Sequence, residues 1–303
     1  MRQNEIDNLR VRLVSPPGMI IGGTSVDAVS EAILDVFSPI DGSLLTKLPD
    51  ASEADVAHAV HAARIAFETG AWAKLAPNAR KKILLDWAQL IDDHALELAV
   101  LGVRDNGTEI SMAIKAEPMS AANTIRYYAE AIDKIYGEVA PTDASTLAMI
   151  LKEPIGVVGA IVPWNFPLMI SAWKIAPALA WGNTVVFKPA ELAPGCAWAL
   201  AEIIHEAGAP EGVFNLVMGR GSEVGAEILD SPEIDAVSFT GSVETGRMVA
   251  RTCVAQMKKV QLEMGGKNPL VVLDDADLER AVYEVTVGAF LTAGQRHNST
   301  ARV

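Results

Sequence analysis

The chain has 303 residues, of which 25 are Lys or Arg and 38 are Asp or Glu, so its formal net charge is −13 and half of its residues are hydrophobic. This composition is typical of an acidic globular protein and does not favour a phosphate-binding basic surface, so we expect no nucleic-acid partner. No apolar run approaches the roughly 18 residues of a membrane span, and the N-terminus lacks the apolar stretch of a signal peptide. Two cysteines, Cys196 and Cys253, are too far apart for a metal or redox motif, which favours a reducing, cytoplasmic location.

The first half of the chain is predicted to be mainly helical. Amphipathic windows cover residues 52–69, 77–101 and 116–135, and the first opens with Ser-x-x-Asp, which resembles a capping box. The apolar run LAMILKEP begins at Leu147 and predicts a strand or hairpin outside the main sheet.

From Ile155 onward, short β-branched runs alternate with helical windows such as 168–180 and 195–207. The predicted strands are residues 157–162, 184–188, 212–217, 236–240, 259–262 and 269–273. This alternation is typical of a parallel sheet that is covered on both faces. We therefore predict a doubly wound α/β fold, in which ligands bind beyond the carboxyl ends of the strands.

Polar side chains follow the first two predicted strands. Asn165, in the motif PWNFP, could stabilise an oxyanion, or it could cap the helix that begins near Leu168. Lys188 and Glu191, in FKPAE, could both reach a nucleotide ribose. An exposed surface pair is the alternative for these two residues.

Two later strands also end in motifs that suggest chemistry. Gly241, Ser242 and Gly246 open a helix whose N-terminal N–H groups could cradle a pyrophosphate, although a glycine turn with a serine cap has the same pattern. Glu263 precedes two glycines and could act as a general base, or it could pair with Lys267.

Other titratable clusters favour ordinary structural interpretations. His58 and His61 lie three residues apart on a helix but have no adjacent acidic or cysteine partner, so a packed or solvated pair is favoured over a metal site. Asp274, Asp275 and Asp277 precede a helical window and are interpreted as capping charges, because the spacing of a calcium loop is absent. We expect no bound metal.

Taken together, PWNFP, FKPAE, FTGS-x-x-x-G, LEMGGK and GQR resemble the NAD(P)-dependent aldehyde dehydrogenase superfamily in their order and spacing. The similarity runs from about Gly22 to Val303, and RYYAEAIDKIYGEVAP is similar to the subgroup that acts on amino- and γ-glutamylamino-butyraldehydes. The resemblance implies a Rossmann-like fold with a truncated catalytic domain. The implied parts are a helical part of the cofactor-binding domain (1–136), an oligomerisation hairpin (137–154), an NAD-binding part (155–265) and the start of the catalytic domain (266–303).

The resemblance also implies a reaction and a set of site residues. In the family, a cysteine thiolate attacks an aldehyde, hydride leaves for the nicotinamide, and a base activates the water that hydrolyses the thioester. The implied residues are Asn165 for the oxyanion, Glu263 as the base, Lys188 and Glu191 on the adenosine ribose, Gly241, Ser242 and Gly246 at the pyrophosphate, Ile161 and Trp164 beside the cofactor, and Phe166 and Trp173 along the substrate channel. NAD is expected over NADP because Glu191 would repel a 2′-phosphate.

The sequence departs from the family at two places. His297 stands where the nucleophilic cysteine follows Gly-Gln-x, and the family continues well beyond Val303. Imidazole cannot replace a thiolate in this chemistry. We therefore expect impaired oxidation of a small aldehyde, with a catalytically dead NAD-binding or subunit-interaction protein as the alternative. A homo-oligomer is expected if the full family architecture is present.

Overall fold

The structure, a computed structural model, describes residues 3–12 and 18–303. The N-terminal helices are α1 (Gln3–Val11), α2 (Glu53–Thr69), α3 (Pro77–Asp93), α4 (Ala95–Asn106) and α5 (Ile110–Ala131). The strands in this part are β1 (Met19–Ile21), β2 (Thr24–Val26), β3 (Ile33–Phe37) and β4 (Leu44–Pro49). Strands β3 and β4 pair with each other in a separate antiparallel hairpin.

The predicted helices of this part are confirmed, with two corrections to their bounds. The window 77–101 is two helices, because the chain leaves helical geometry at His94, which ends α3 and precedes α4. Helix α5 covers Ile110–Ala131 with Pro118 in its interior, so it begins and ends earlier than the predicted window 116–135. Helix α2 begins after Ser52, whose backbone N–H donates to the Asp55 carboxylate at 2.8 Å, as the capping pattern predicts.

The predicted hairpin outside the main sheet is confirmed. Strands β5 (Glu138–Ala140) and β6 (Ala148–Ile150) form an antiparallel pair with Val139 opposite Met149. Both of those side chains are exposed, as are Leu147 and Leu151 beside them.

The second half alternates strands and helices. Its strands are β7 (Val157–Ile161), β8 (Thr184–Lys188), β9 (Phe214–Leu216), β10 (Ala236–Gly241), β11 (Lys259–Met264), β12 (Asn268–Pro269) and β13 (Thr300–Arg302). Its α-helices are α6 (Pro167–Ala180), α7 (Pro194–Glu206), α8 (Ala226–Asp230), α9 (Val243–Ala255) and α10 (Leu278–Phe290). A π-helical turn covers Gly221–Gly225 and a 3-10 turn covers Leu291–Gly294.

The main sheet has the order β11-β10-β7-β8-β9-β1-β2. Strands β7 to β11 are parallel, and β1 and β2 extend the sheet antiparallel at one edge. Every residue of β7 and β8 is buried, so the centre of the sheet is covered on both faces. The doubly wound α/β fold is thereby confirmed. Its direction of winding reverses between β7 and β10, so their carboxyl ends flank the place where such sheets bind ligands.

Most of the predicted strand at residues 269–273 is wrong, and the short strands β1 to β4 and β13 were not predicted. Residues 270–273 are not a strand: β12 stops at Pro269, and Val271 and Leu273 are exposed. A strand persists only where a neighbour supplies ladder hydrogen bonds, and β13 supplies them only as far as the N–H of Leu270.

The described residues contain no helix that combines the length and the apolarity required to cross a membrane.

Candidate active site

The loop that follows β7 is tied to the segment that carries His297. Asn165 Nδ2 donates a hydrogen bond to the backbone oxygen of Gln295 at 2.6 Å. Asn106 Nδ2 in turn donates to the backbone oxygen of Asn165 at 3.0 Å. Asn165 Oδ1 is buried and has no hydrogen-bond partner among the described residues. Two motifs that lie 130 residues apart in the chain therefore meet at this edge of the sheet.

The alternative that Asn165 caps a helix is wrong. Helix α6 begins after Phe166, whose side chain makes no capping hydrogen bond. The buried carboxylate of Glu117 accepts the N–H groups of Leu168 and Met169 instead, at 3.2 and 2.8 Å. The Asn165 side chain therefore does not cap α6.

Glu263, near the end of β11, faces His297. Glu263 Oε1 lies 3.8 Å from His297 Nε2, and the two side chains are 47% and 29% exposed. Among the described residues, this imidazole and not Lys267 lies within ion-pair distance of Glu263, so the predicted alternative of a Glu263–Lys267 pair is wrong. The structure therefore brings the candidate base and the residue in the nucleophile's position to one place.

A buried lysine lies beside this pair, and sequence reasoning did not find it. Lys174 Nζ donates to Ser238 Oγ at 3.1 Å and to Gln261 Oε1 at 3.0 Å. Burial lowers the pKa of Lys174 to about 8, and the charge of Glu263 opposes that shift. A usable signal existed, because polar residues at every second position of β10 and β11 imply a polar face next to α6.

Lys174 and Glu263 line a cleft of about 460 Å³ between α6 and the sheet. Trp173 lies on its wall, as does Thr240, whose buried hydroxyl has no hydrogen-bond partner among the described residues. The cleft combines an aromatic wall with a few polar groups, one of them unpaired, which is the usual character of a small-molecule site.

Lys188 and Glu191 form a tight pair at the end of β8. Lys188 Nζ lies 2.9 Å from Glu191 Oε2, and the side chains are 3% and 35% exposed. Burial lowers the pKa of Lys188, although Glu191 opposes this shift. Burial also raises the pKa of Glu191, but the charge and hydrogen bond of Lys188 together with backbone N–H groups outweigh it, so the pKa of Glu191 lies below its ordinary value. The alternative of an exposed surface pair is wrong, because the lysine is buried.

The start of α9 has the geometry of a serine cap. Ser242 Oγ accepts the N–H of Thr245 at 3.1 Å, and Gly241 ends β10 immediately before it. Gly246 is buried, and a Cβ there would collide with the Met264 side chain. The cap alternative therefore describes the local contacts, while a role at a pyrophosphate stays a prediction.

The other predicted site residues lie on the same edge of the sheet or on α6. Ile161 ends β7, where it stands opposite Lys188 in the register of the sheet. Trp164 is exposed in the following loop, and Phe166 is buried where α6 begins. Trp173 is exposed on α6 and also borders a second cleft on α5.

Both cysteines are buried within helices. Cys196 Sγ, in α7, donates to the backbone oxygen of Leu98 at 3.2 Å, and burial raises its pKa well above the ordinary value. Cys253, in α9, is also buried, and burial raises its pKa. A high pKa and burial both disfavour the thiolate form that a nucleophile requires.

The remaining clusters lie at the surface, and one of them caps a helix. His58 and His61 are both exposed on α2. The Asp277 carboxylate accepts the N–H of Arg280 at 3.0 Å and so caps α10, as predicted. No group of three His, Cys, Asp or Glu side chains in the described part of the chain is placed to hold a metal ion.

Comparison with known proteins agrees with this geometry. The profile described as "Aldehyde dehydrogenase family" matches residues 26–303. Aminoacetaldehyde dehydrogenase from Pseudomonas aeruginosa is 41% identical over 100% of this chain and 62% of its own length. NADP/NAD-dependent aldehyde dehydrogenase PuuC from Escherichia coli is 42% identical over 91% of this chain and 56% of its own length.

Solved structures are similar to this chain in fold, and their sequence identities are close to those of these two relatives. Gamma-glutamyl-gamma-aminobutyraldehyde dehydrogenase from Burkholderia cenocepacia J2315 superposes with a TM-score of 0.95 at 41% identity, covering 99% of this chain and 61% of that one. An NAD⁺ complex of aldehyde dehydrogenase from Bacillus cereus gives a TM-score of 0.93 at 39% identity, over 97% and 60%. This chain thus spans about three fifths of the length of these relatives. On the profile match, the sequence identity and the shared fold, it belongs to the aldehyde dehydrogenase family.

Proposed function

We propose that this protein is an oxidoreductase built to convert a small aldehyde to a carboxylic acid with NAD, and that the chain as it stands is impaired in that reaction. One observation carries the proposal. Asn165 is hydrogen-bonded to Gln295, two residues before His297, and His297 faces Glu263. An amide donor, a candidate base and the nucleophile's position therefore meet at the carboxyl edge of a parallel sheet.

The residues present fit NAD. Lys188 and Glu191 offer a donor and an acceptor for ribose hydroxyls. Gly265 and Gly266 border open space. NAD⁺ complexes among the similar solved structures support the same choice. When bound, NAD would supply the acceptor for the hydride.

Each site residue has a separate proposed role. Asn165 has two amide N–H groups, of which one is bonded to Gln295 and the other can stabilise a carbonyl oxygen that becomes negative. Glu263, partly exposed, can take a proton from water. The proposed binding residues are Ile161 and Trp164 beside the cofactor, Lys188 and Glu191 on the ribose, Gly241, Ser242 and Gly246 at the pyrophosphate, and Phe166 and Trp173 along the substrate channel.

The proposed impairment follows from His297. The family reaction needs a thiolate that adds to the aldehyde and then leaves as a thioester is hydrolysed. His297 has no thiol, and Cys196 and Cys253 are buried with raised pKa values. Aldehyde oxidation by this chain should therefore be very slow.

The domain boundaries, the assembly and the location are part of the same proposal. We assign residues 1–136 and 155–265 to cofactor binding, 137–154 to subunit contact, and 266–303 to the start of the catalytic domain. The exposed apolar side chains of the hairpin, among them Val139 and Met149, support an intersubunit role. The proposal is thus a cytoplasmic homo-oligomer whose site is shaped for a small aldehyde but lacks the nucleophile.

The test restores the missing chemistry. A chimera that joins His297→Cys to the C-terminal segment of a family relative should form NADH from small amino aldehydes, whereas the same chimera with His297 retained should not, because it lacks the thiolate. Glu263→Gln in the chimera should slow the release of the acid by about 10²-fold or more. A chimera that folds and binds NAD but oxidises no aldehyde would contradict the proposal.

A further inference from the structure

A pocket that the proposed reaction does not use is lined by side chains of α1, α4 and α7. Its volume is about 290 Å³, which lies at the small end of the range for ligand sites. Leu9 of α1, Leu98 of α4 and Ile203 of α7 supply apolar side chains, and Trp198 adds an aromatic ring. None of the described lining residues is among those proposed for NAD or the aldehyde, so this pocket is a separate candidate site.

Glu97 already pairs with two of the basic groups that line the pocket. Its Oε1 lies 2.7 Å from Arg12 Nη1, and its Oε2 lies 3.5 Å from His94 Nδ1. The charges of Arg12 and Glu97 therefore neutralise each other and are not left for a ligand.

Arg104, which lines the same pocket from α4, is a cation without a carboxylate partner. Its Nη1 donates to the backbone oxygen of Arg12 at 2.8 Å. Burial raises the pKa of the adjacent Asp105 to about 7, with the Arg104 charge opposing the shift, and the Asp105 carboxylate accepts the N–H groups of Gly195 and Cys196. In the described part of the chain no carboxylate lies within ion-pair distance of Arg104, so most of its guanidinium donors are left for a ligand.

The wall formed by α7 has the opposite character, because it carries carboxylates without cations. Glu202 and Glu206 follow Trp198 at intervals of four residues, so the three side chains share one face of the helix. Partial burial raises the pKa of Glu202, and no positive charge opposes this shift. Neither carboxylate has a hydrogen-bond or ion-pair partner among the described residues. The pocket thus combines an unpaired cation on α4 with unpaired carboxylates on α7.

We propose that this pocket binds a small ω-amino acid, whose carboxylate pairs with Arg104 and whose ammonium group pairs with Glu202. The planar guanidinium matches the two oxygens of a carboxylate. The ammonium group also gains from the charge of Glu206 and from the aromatic ring of Trp198, and the aliphatic spacer covers the apolar lining. The site is independent of the proposed aldehyde chemistry.

Charge complementarity selects this ligand class over its neighbours. A diamine would bring a second positive charge to Arg104, and a dicarboxylate would bring a second negative charge to Glu202 and Glu206. A simple alkanoate or alkylamine would leave one wall of the pocket unpaired. Arg104 and Glu202 form no ion pair with each other, so a ligand that joins them needs its two charges separated by a spacer.

The test titrates three ω-amino acids of increasing spacer length into the full 303-residue chain by calorimetry: 4-aminobutanoate, 5-aminopentanoate and 6-aminohexanoate. Each is compared with the alkanoate and the alkylamine of the same carbon number. The tightest of the three should bind at least about 10-fold more tightly than either analogue, because each analogue lacks one charged contact.

Variants of the two walls should each remove one half of this selectivity. Glu202→Gln should weaken the ω-amino acid about 10-fold and leave the alkanoate within about 2-fold, and Glu206→Gln added to it should weaken the ω-amino acid further. Arg104→Gln, which keeps a donor for the Arg12 backbone oxygen, should weaken the ω-amino acid by a similar factor and leave the alkylamine within about 2-fold.

Matched controls remove the same charges elsewhere. Glu68→Gln on α2 and Arg280→Gln on α10 lie at exposed positions outside the pocket and should leave every ratio unchanged. The proposal is overturned if none of the three ω-amino acids binds saturably or if none binds more tightly than its analogues. It is also overturned if folded Glu202→Gln binds the ω-amino acid as well as the unaltered chain, since binding would then lie elsewhere.

Discussion

Two buried carboxyl groups hold the helices that flank the site. Asp105 accepts the N–H groups of Gly195 and Cys196 at the start of α7, at 2.9 and 3.3 Å. Glu117 does the same at the start of α6. Rules for helix capping search within a few residues of the helix start, whereas these acceptors lie 90 and 51 residues away. For this reason the sequence did not reveal them.

These groups predict how stability depends on pH. Burial raises the pKa of Asp105 and of Glu117 to about 7, while backbone hydrogen bonds oppose the shift. The folded pKa lies above the unfolded one, so protonation of these groups contributes to the free energy of unfolding. That contribution is fully present below about pH 4 and is lost as pH rises towards 7.

Asp105→Asn should therefore flatten the change in stability between pH 4 and 7. Relative to the unaltered chain, the free energy of unfolding of this variant should rise by roughly 2–4 kcal/mol from pH 4 to pH 7, because only the unaltered chain loses the Asp105 contribution. Urea titration at each pH measures it. Asp133→Asn, at an exposed position, should not show this shift. A difference between Asp105→Asn and the unaltered chain that does not vary with pH would contradict the assignment.

At the same scale, the sequence indicated some site residues and missed others for a physical reason. Asn165, Lys188 and Glu263 lie at or just after the ends of parallel strands, and those ends share one edge of the sheet, so strand prediction alone brings them near one another. Lys174 was missed because its importance comes from burial and from its contacts with Ser238 and Gln261, and the one sequence signal for it lay in other elements, in the alternating polar residues of β10 and β11.

Among the elements, the best-predicted ones are those with strong local patterns. Strands β7 and β8 are β-branched runs buried on both faces, and α2 starts with its capping pattern. Strands β1 and β2 have three residues each and are defined by pairing with β9 and with each other, so tertiary contacts decide them. The break at His94 and the absence of a strand over 270–273 likewise depend on packing and partners.

Gly159, in the centre of the sheet, allows α8 to pack closely on β7, and this packing can be tested. A Cβ at Gly159 would lie 2.6 Å from Ile228 Cγ2, and Ile228 is fully buried in α8. Gly159→Ala should thus push α8 away and lower the free energy of unfolding by about 1–3 kcal/mol.

A double-mutant cycle with Ile228→Ala checks this packing. The smaller side chain leaves room for the new methyl group, so the double variant should be more stable than the sum of the single effects by about 1 kcal/mol or more. Urea unfolding provides the values, with Gly265→Ala as the control because a Cβ there meets open space. Additive effects, or an equal cost at the two glycines, would show that α8 does not limit this position.

In the whole molecule, the main sheet with its helices and the segment after β11 differ in packing. The sheet centre is fully buried, whereas α10 has no buried residue and exposes Leu278, Val282 and Phe290. Glu263 and His297 lie between these two parts, and both are open to solvent. On the proposed function, we expect NAD to bind to the well-packed part and the chemistry to fail at His297, which has no thiol.

Steady-state formation of NADH by the unaltered chain, with small ω-amino aldehydes and with NAD binding followed by tryptophan fluorescence, tests this claim most directly. We predict saturable NAD binding and no NADH above the rate without protein, and the same for His297→Ala and Cys253→Ala. Robust turnover by the unaltered chain would contradict this claim, and loss of that turnover in one of the two variants would identify the residue that acts as the nucleophile.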